Sequence, residues 1–337
     1  MRLFEKTGSF LSGILRLFAS SRTPTPALLV FLIVICVIFG SFNRLFFSWG
    51  NINSVINNLT FDGVLCLGMT VIILAGEIDL SIGSNIALCS VLVTKMFDLQ
   101  FSVASVVVVV LALGIVIGII NGLLVNNVGI NSIIATIGTM TTLKGLAFLF
   151  TQTRPMTVNA AYSFIGRGYL LDAVPITAVY FLVLLATFAY VLRYSVLGRD
   201  IYFVGANREA ARLAGINVRR TKFVAFLLSA LIASLAAVML TSQLSNGRPE
   251  MGEGSELEVI TIVVLGGVSI LGGIGNYAGV VVALLILTVI QNGMVLMNLP
   301  IFWRYVARGV ILIAALLIDA LKTRQREVML KMRSIRA

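Results

Sequence analysis

A succession of apolar runs constrains this chain more than any other feature. They fall at residues 27–46, 53–75, 81–97, 103–126, 131–152, 175–193, 222–244, 256–271, 275–297 and 300–321. A helix of roughly 20 apolar residues spans the hydrocarbon of a bilayer. Lipid offers the backbone no hydrogen-bond partner, so such runs must satisfy themselves as helices. Composition leaves no aqueous alternative: 59% of the residues are hydrophobic and 12% are charged, against about 25% charged in a soluble domain. The expected fold is an all-α polytopic membrane protein of about ten transmembrane helices, some broken or re-entrant.

The basic residues orient these spans. Residues 1–26 hold four Lys or Arg, the 193–222 segment seven, and the segment after Leu321 six, together 17 of the 25 in the chain. Ten spans put all three segments on one side, and the positive-inside rule makes that side the cytoplasm. The expected domains are an interfacial amphipathic N-terminus (1–26), a transmembrane domain (27–321) with a cytoplasmic loop at 193–222, and a basic cytoplasmic tail (322–337). In the first segment Leu3, Phe4, Phe10, Leu11, Ile14, Leu15 and Phe18 recur at helical spacing, opposite Arg2, Lys6 and Arg16. That pattern reads as a helix lying on the membrane surface rather than a cleaved signal peptide.

The net charge of +11 sits in loops beside apolar runs, which reads as membrane orientation and not as nucleic-acid binding. Cys36, Cys66 and Cys89 all lie inside apolar runs, where they read as packing residues. There is no histidine, so the commonest general base and metal ligand is missing. No catalytic residue and no metal site are expected.

Three segments carry more specific information. GEIDLSIGS, at 76–84, places Glu77 and Asp79 within an apolar stretch. A charge at mid-bilayer costs about 2.5–3.5 kcal/mol on insertion scales, so both carboxylates need an interface, a cavity or protein partners. The segment is either a turn between spans, with Asp79 or Ser81 capping the next helix, or a re-entrant element beside a pathway. In EGSELEVITIVVLGGVSILGGIGN, at 253–276, Ser255 and Glu258 have capping-box spacing, and paired glycines follow. The glycines serve either close packing or a mobile half-helix. Glu250, Glu253, Glu256 and Glu258 form an expected acidic outer rim.

The third segment is the basic loop, RYSVLGRDIYFVGANREAARLAGINVRRTK. Asn207 suits a helix N-cap and Gly215 the left-handed position after a helix. Glu209 and Arg212 complement the helix dipole and stand three residues apart, close enough to pair. The expected result is about two turns of cytoplasmic helix with an apolar tip at Leu213 and Ile216.

These three segments together resemble the permease subunits of bacterial ABC sugar importers of the ribose, xylose and galactose type. The autoinducer-2 and branched-chain amino-acid permeases are wider relatives. GEIDLSIGS is similar to that family's GGIDLSVGS, with Glu77 in place of a frequent glycine. GRDIYFVGANREAARLAGI and GSELEVITIVVLGGVSILGGIG resemble two further family patterns. The resemblance spans about residues 27 to 321 and implies a permease in the bacterial inner membrane, both termini cytoplasmic. It implies a second permease, identical or paralogous, two ATP-binding subunits and a periplasmic substrate-binding protein. This chain lacks a GxxxxGK[ST] phosphate loop, so ATP and magnesium belong to the partner and no cofactor is expected here.

By position, the resemblance gives Gly198, Arg199, Gly205, Asn207, Ala210, Ala211 and Gly215 to an ATPase-coupling helix, with Arg208, Glu209, Arg212 and Ile216 beside them. Phe203 stands where a small residue is frequent. A neutral sugar calls for neutral polar groups, which makes Asn57, Asn58, Asn121, Asn131 and Ser81 pathway candidates. Asp79, Glu256, Gly266 and Gly267, from the two interrupted segments, are gating candidates. The alternative is an ion-coupled secondary transporter. Asp62, Lys144, Arg308 and Asp319, the charges within or near the ends of apolar runs, make no evident relay for one.

Overall fold

A computed structural model describes residues 25–151, 160–171 and 174–336, with 322–336 as backbone alone. The expected N-terminal surface helix falls on residues 1–24, outside the described residues. The described residues are helical almost throughout, and among them eight helices are long and apolar enough to cross a membrane. They are α1 (Thr25–Phe42), α2 (Trp49–Leu74), α4 (Val103–Leu123, prolonged by a π turn to Val128), α5 (Ser132–Thr151), α7 (Ile176–Tyr194), α10 (Val218–Leu244), α12 (Tyr277–Leu296) and α13 (Ile301–Arg336). The remaining two expected spans are shorter: α3 (Ile82–Asp98) has 17 residues and α11 (Ser255–Leu265) has 11.

The expected span at 256–271 therefore needs correction. Its helix stops at Leu265 because Gly267 turns left-handed, with φ +88°. The Gly267 N–H then donates to the Val264 carbonyl and the Val268 N–H to the Val263 carbonyl. This is the Schellman arrangement, which satisfies carbonyls that a helix end would leave orphaned. Gly76 (φ +77°) ends α2 in the same way, through Gly76 N–H to Ile73 and Glu77 N–H to Ile72.

The described residues divide into two compact units. One comprises 25–51, 261–269 and 275–336. Its core joins Leu28, Ile35 and Phe46 to Val282, Ile286 and Val289 of α12. The other comprises 52–260 and 270–274, with α10 packed against α3, α4 and the short α6 (Ala160–Arg167). Here α4 and α10 approach closely because Gly114, Gly118 and Gly122 sit on one stripe. A Cβ on Gly118 would lie 2.8 Å from the Leu227 Cα, and one on Gly122 2.7 Å from the Phe223 ring. Small residues at i, i+4 spacing are the usual way helix backbones meet in lipid.

Two antiparallel strands of two residues each, β1 (Tyr169–Leu170) and β2 (Val174–Pro175), precede α7. The basic loop folds as two helices, α8 (Val196–Ala206) and α9 (Arg208–Leu213).

Candidate functional site

The helix α9 is built as its sequence implies. The Asn207 side chain accepts the Ala210 N–H at 3.0 Å. Gly215 adopts φ +80°, and the N–H groups of Gly215 and Ile216 close onto the Arg212 and Ala211 carbonyls. Glu209 and Arg212 pair at 3.0 Å. Ala211 is buried, whereas Leu213 is 84% exposed. Arg199, Phe203, Glu209, Ala210 and Arg212 are exposed along the same elbow, and Ile216 is half-buried.

The preceding helix α8 is capped by Ser195, whose hydroxyl oxygen accepts the Gly198 N–H at 3.0 Å. Gly198 is buried against the backbone of Val191 and Leu192. At its far end α8 meets two other segments. Gly205 lies against the Leu74 carbonyl, Gly76 and Gly273, and a Cβ on Gly272 would come within 2.8 Å of the Gly76 Cα and 3.0 Å of the Gly205 Cα. The Gly273 N–H donates to the Leu74 carbonyl at 2.9 Å. Four glycines thus let three backbones converge: the end of α2, the end of α8 and the 270–274 loop.

Beside this junction sits a charge cluster. Glu77 is 5% exposed, and its Oε1 accepts from Arg208 Nη2 at 2.7 Å and from Lys222 Nζ at 2.7 Å. The same Arg208 nitrogen donates to the Gly76 carbonyl at 3.0 Å. One carboxylate therefore joins α9, the break after α2 and the start of α10.

From Glu77 the chain continues, non-helical, into the interior. Its backbone donors lose their helical partners there, and α5 supplies others: Ser132 Oγ accepts the Ile78 N–H at 3.4 Å and Thr136 Oγ1 the Leu80 N–H at 3.2 Å. Asp79 Oδ1 accepts both the Ser81 N–H (2.9 Å) and the Ser81 hydroxyl (2.6 Å), and Oδ2 accepts the Ser229 hydroxyl (2.9 Å). Asn121 Nδ2 donates to Ser81 Oγ at 2.9 Å and its Oδ1 accepts from Thr139 at 2.7 Å. Asp79, Ser81 and Asn121 are 0–1% exposed. Ser81 holds the N-cap position of α3 but its side chain makes no capping bond; its backbone N–H instead goes to Asp79.

A second non-helical stretch, 245–254, lies along α3 in the opposite sense. Gly247 packs on Ser90 and Thr94, and Gly252 on Gly83 and Ile86. The Ser90 hydroxyl donates to the Arg248 carbonyl at 2.9 Å. Between this stretch, α3 and α5 opens a cleft of about 510 Å³ whose walls carry Glu253, Glu256 and Lys144. The expected acidic rim is corrected in one place: Glu258, in the same first turn of α11 as Glu256, is 7% exposed and turned inward.

With this geometry in view, comparison with known proteins is decisive. The family described as "branched-chain amino acid transport system / permease component" matches residues 51–316. The chain belongs to this permease family. The ribose import permease protein of Bacillus subtilis strain 168 is 35% identical over 295 residues, covering 87% of this chain and 91% of that one. The ribose import permease protein of Haemophilus influenzae Rd is 33% identical over 293 residues, covering 86% and 90%. The L-arabinose ABC transporter permease protein of Azospirillum brasilense is 36% identical over 281 residues, covering 83% and 82%. No solved structure matches.

In the permease, the residues read from the sequence as a coupling helix do come together, on one elbow. The pathway candidates do not. Asp79, Ser81 and Asn121 share the buried network, and Glu256 lines the cleft. Asn57 is half-buried and accepts from Thr177 Oγ1 at 3.3 Å, Asn58 is exposed, and Asn131 accepts the Ile133 N–H at the start of α5. Gly266 packs on the first turn of α12, where a Cβ would lie 2.6 Å from the Val280 Cα, and Gly267 is the helix terminator. Sequence reasoning missed the Glu77 cluster, helix α8 and the α5 contribution. Ser195 three residues before Gly198 was a readable cap; nothing local marked Ser132, Thr136 or Thr139.

Proposed function

We propose that this chain is the membrane subunit of an ATP-driven ABC importer that carries a sugar or sugar-like solute across the bacterial inner membrane. Its relatives are named as ribose and arabinose permeases, which supports that solute class. The observation that carries the mechanism is the contact of Arg208, on α9, with Glu77 and the Gly76 carbonyl at the broken segment. In this reading α9 is the coupling helix, both termini are cytoplasmic, and ATP with magnesium binds separate ATP-binding subunits. A second permease, identical or paralogous, completes the pathway, and a periplasmic binding protein delivers the solute.

Closure of the ATP-binding subunits would push α9 and α8. The glycine junction transmits that push because three backbones touch there without intervening side chains. Glu77 would carry it into the 78–81 stretch, whose network holds the start of α3. Only contacts that differ between the two end states can drive such a cycle.

The test is co-purification with the neighbouring ATP-binding subunit, then ATPase stimulation by candidate binding proteins loaded with a panel of pentoses and hexoses. The expected result is a stable complex with stimulated hydrolysis and ATP-dependent uptake. Two variants probe the elbow: Arg208→Glu with Ala211→Asp, and Leu213→Asp, whose side chain is too exposed to affect folding. Docking and uptake that survive both would refute the coupling assignment. Uptake driven by an ion gradient in the absence of the ATPase would refute the importer.

A further inference from the structure

The cleft between α3, α5 and the 249–256 stretch carries chemistry that a lipid-facing groove could not hold. Lys144 is the thirteenth of the 20 residues of α5, about 10 Å from the nearer helix end at 1.5 Å per residue. Its ammonium meets Glu253 Oε1 at 2.9 Å, with the side chains 39% and 61% exposed. Glu256 reaches in from the first turn of α11, its carboxylate set against Gly83 where any larger residue would collide. Ionised groups left facing hydrocarbon at membrane depth are strongly unfavourable and instead mark water-filled or protein-filled space. The cavity, about 510 Å³, falls in the range of small-molecule sites, roughly 300–1,000 Å³.

We propose that this cleft is a solvated subsite on the transport path that receives a neutral polyhydroxylated solute. The proposal rests on the transport reading above and adds the place and the contacts. Glu256 and Glu253 accept hydrogen bonds from solute hydroxyls, as does the Thr141 hydroxyl oxygen, whose own proton goes to the Ile137 carbonyl; Lys144 donates, and Phe148 with Met140 offers an apolar wall to a sugar ring's C–H face. One ammonium against two carboxylates gives little net attraction for an anionic solute. The floor of the cleft is Gly83 and Ser84, and the Ser84 hydroxyl donates to the Ser81 carbonyl at 2.9 Å. The subsite is therefore attached directly to the broken segment.

The experiment places a cysteine at Thr141, an exposed position on the cleft wall, in the importer reconstituted with its ATP-binding subunits. Membrane-impermeant cationic and anionic methanethiosulfonates then probe it, against the parent chain as control. The expected result is rapid labelling with the cationic reagent ahead of the anionic one, and loss of that preference in Glu256→Gln. D-ribose or L-arabinose, whichever the system imports, should slow the labelling during turnover. Glu256→Gln should raise the uptake KM about tenfold, the equivalent of one charge-assisted hydrogen bond. A Thr141→Cys side chain that stays unreactive in the assembled importer means lipid or a neighbouring subunit fills the cleft, and overturns the proposal. Labelling indifferent to the imported sugar, or an unchanged KM, also overturns it. If the ATP-binding subunits fail to dock in the same preparation, the transport reading itself fails.

Discussion

Replacing Glu77 by glutamine should destabilise the permease far more than removing the arginine that touches it. The Glu77–Lys222 pair is enclosed, with side chains 5% and 8% exposed and 2.7 Å between the charged atoms. Deleting one member of a buried pair leaves the other uncompensated, at about 3–5 kcal/mol. Lys222 is the fifth residue of α10, close enough to the helix end for its stem to carry the ammonium outward. That relaxation places the expected loss near the lower bound, about 3 kcal/mol, or roughly a hundredfold in the folded population. Arg208 is 54% exposed, and an exposed ion pair contributes about 0.2–1 kcal/mol. Arg208→Ala should therefore lose less than about 1 kcal/mol.

The assay is reversible unfolding in mixed micelles, followed by circular dichroism, for Glu77→Gln, Lys222→Met, the double variant and Arg208→Ala. Removing both buried charges leaves none unpaired, so the double variant should lose less than the sum of the singles by about 1–3 kcal/mol. If Glu77→Gln were no worse than Arg208→Ala, or the two buried substitutions were additive, the pair would not be buried as described and the reasoning would fail.

Arg208→Ala should still separate hydrolysis from transport, lowering sugar uptake per ATP hydrolysed while stability holds; measured uptake and phosphate release in the same vesicles decide it. Asn207→Ala removes the cap of a six-residue helix, a loss of about 1 kcal/mol, and should speed hydrogen exchange at Ala210 and weaken ATPase docking. Gly272→Ala faces both a left-handed φ of +91° and backbone atoms at 2.8 and 3.0 Å. Gly129→Ala faces a φ of +84° in open space. The first should lower the thermal midpoint clearly more than the second, whose loss should stay near the 1–2 kcal/mol of a left-handed residue; equal shifts would argue against the glycine junction.

The helical spans were legible because hydropathy is summed over many residues and survives local exceptions. The helix ends at Gly76 and Gly215 were legible too, because a left-handed terminator is a local device; the one at Gly267 was not, since the apolar run continues past it to residue 271. What was not legible is what faces each polar group. Glu77 could be read as a carboxylate in need of partners, but Arg208 and Lys222 lie 131 and 145 residues further on in the chain. Ser81 and Asn121 were chosen for polarity alone, and Asp79 for its place in an interrupted segment; the structure encloses all three, because a non-helical stretch inside a bundle must have its backbone donors answered by side chains. The glycines at 114, 118 and 122 repeat every four residues and were readable as a packing stripe. They were passed over because attention went to the glycine pairs, which turned out to end a helix and seat a junction.

The buried network also gives the two non-helical stretches a common logic. Each follows a long helix, α2 or α10, and each leads into a short one, α3 or α11. The first is fixed by α5 and α10 hydroxyls, the second by lying along α3 through Gly247 and Gly252. They meet at Gly83, the residue against which Gly252 and Glu256 both close. Gly83 lies six positions beyond Glu77, at most about 20 Å of extended chain. A displacement of Arg208 therefore reaches the cleft wall along one continuous segment, without passing through the flexible side chains of an intervening core. A substitution of the Asp79 or Ser81 side chain, which touches neither the elbow nor the cleft, should disconnect hydrolysis from uptake if this segment is the element that moves.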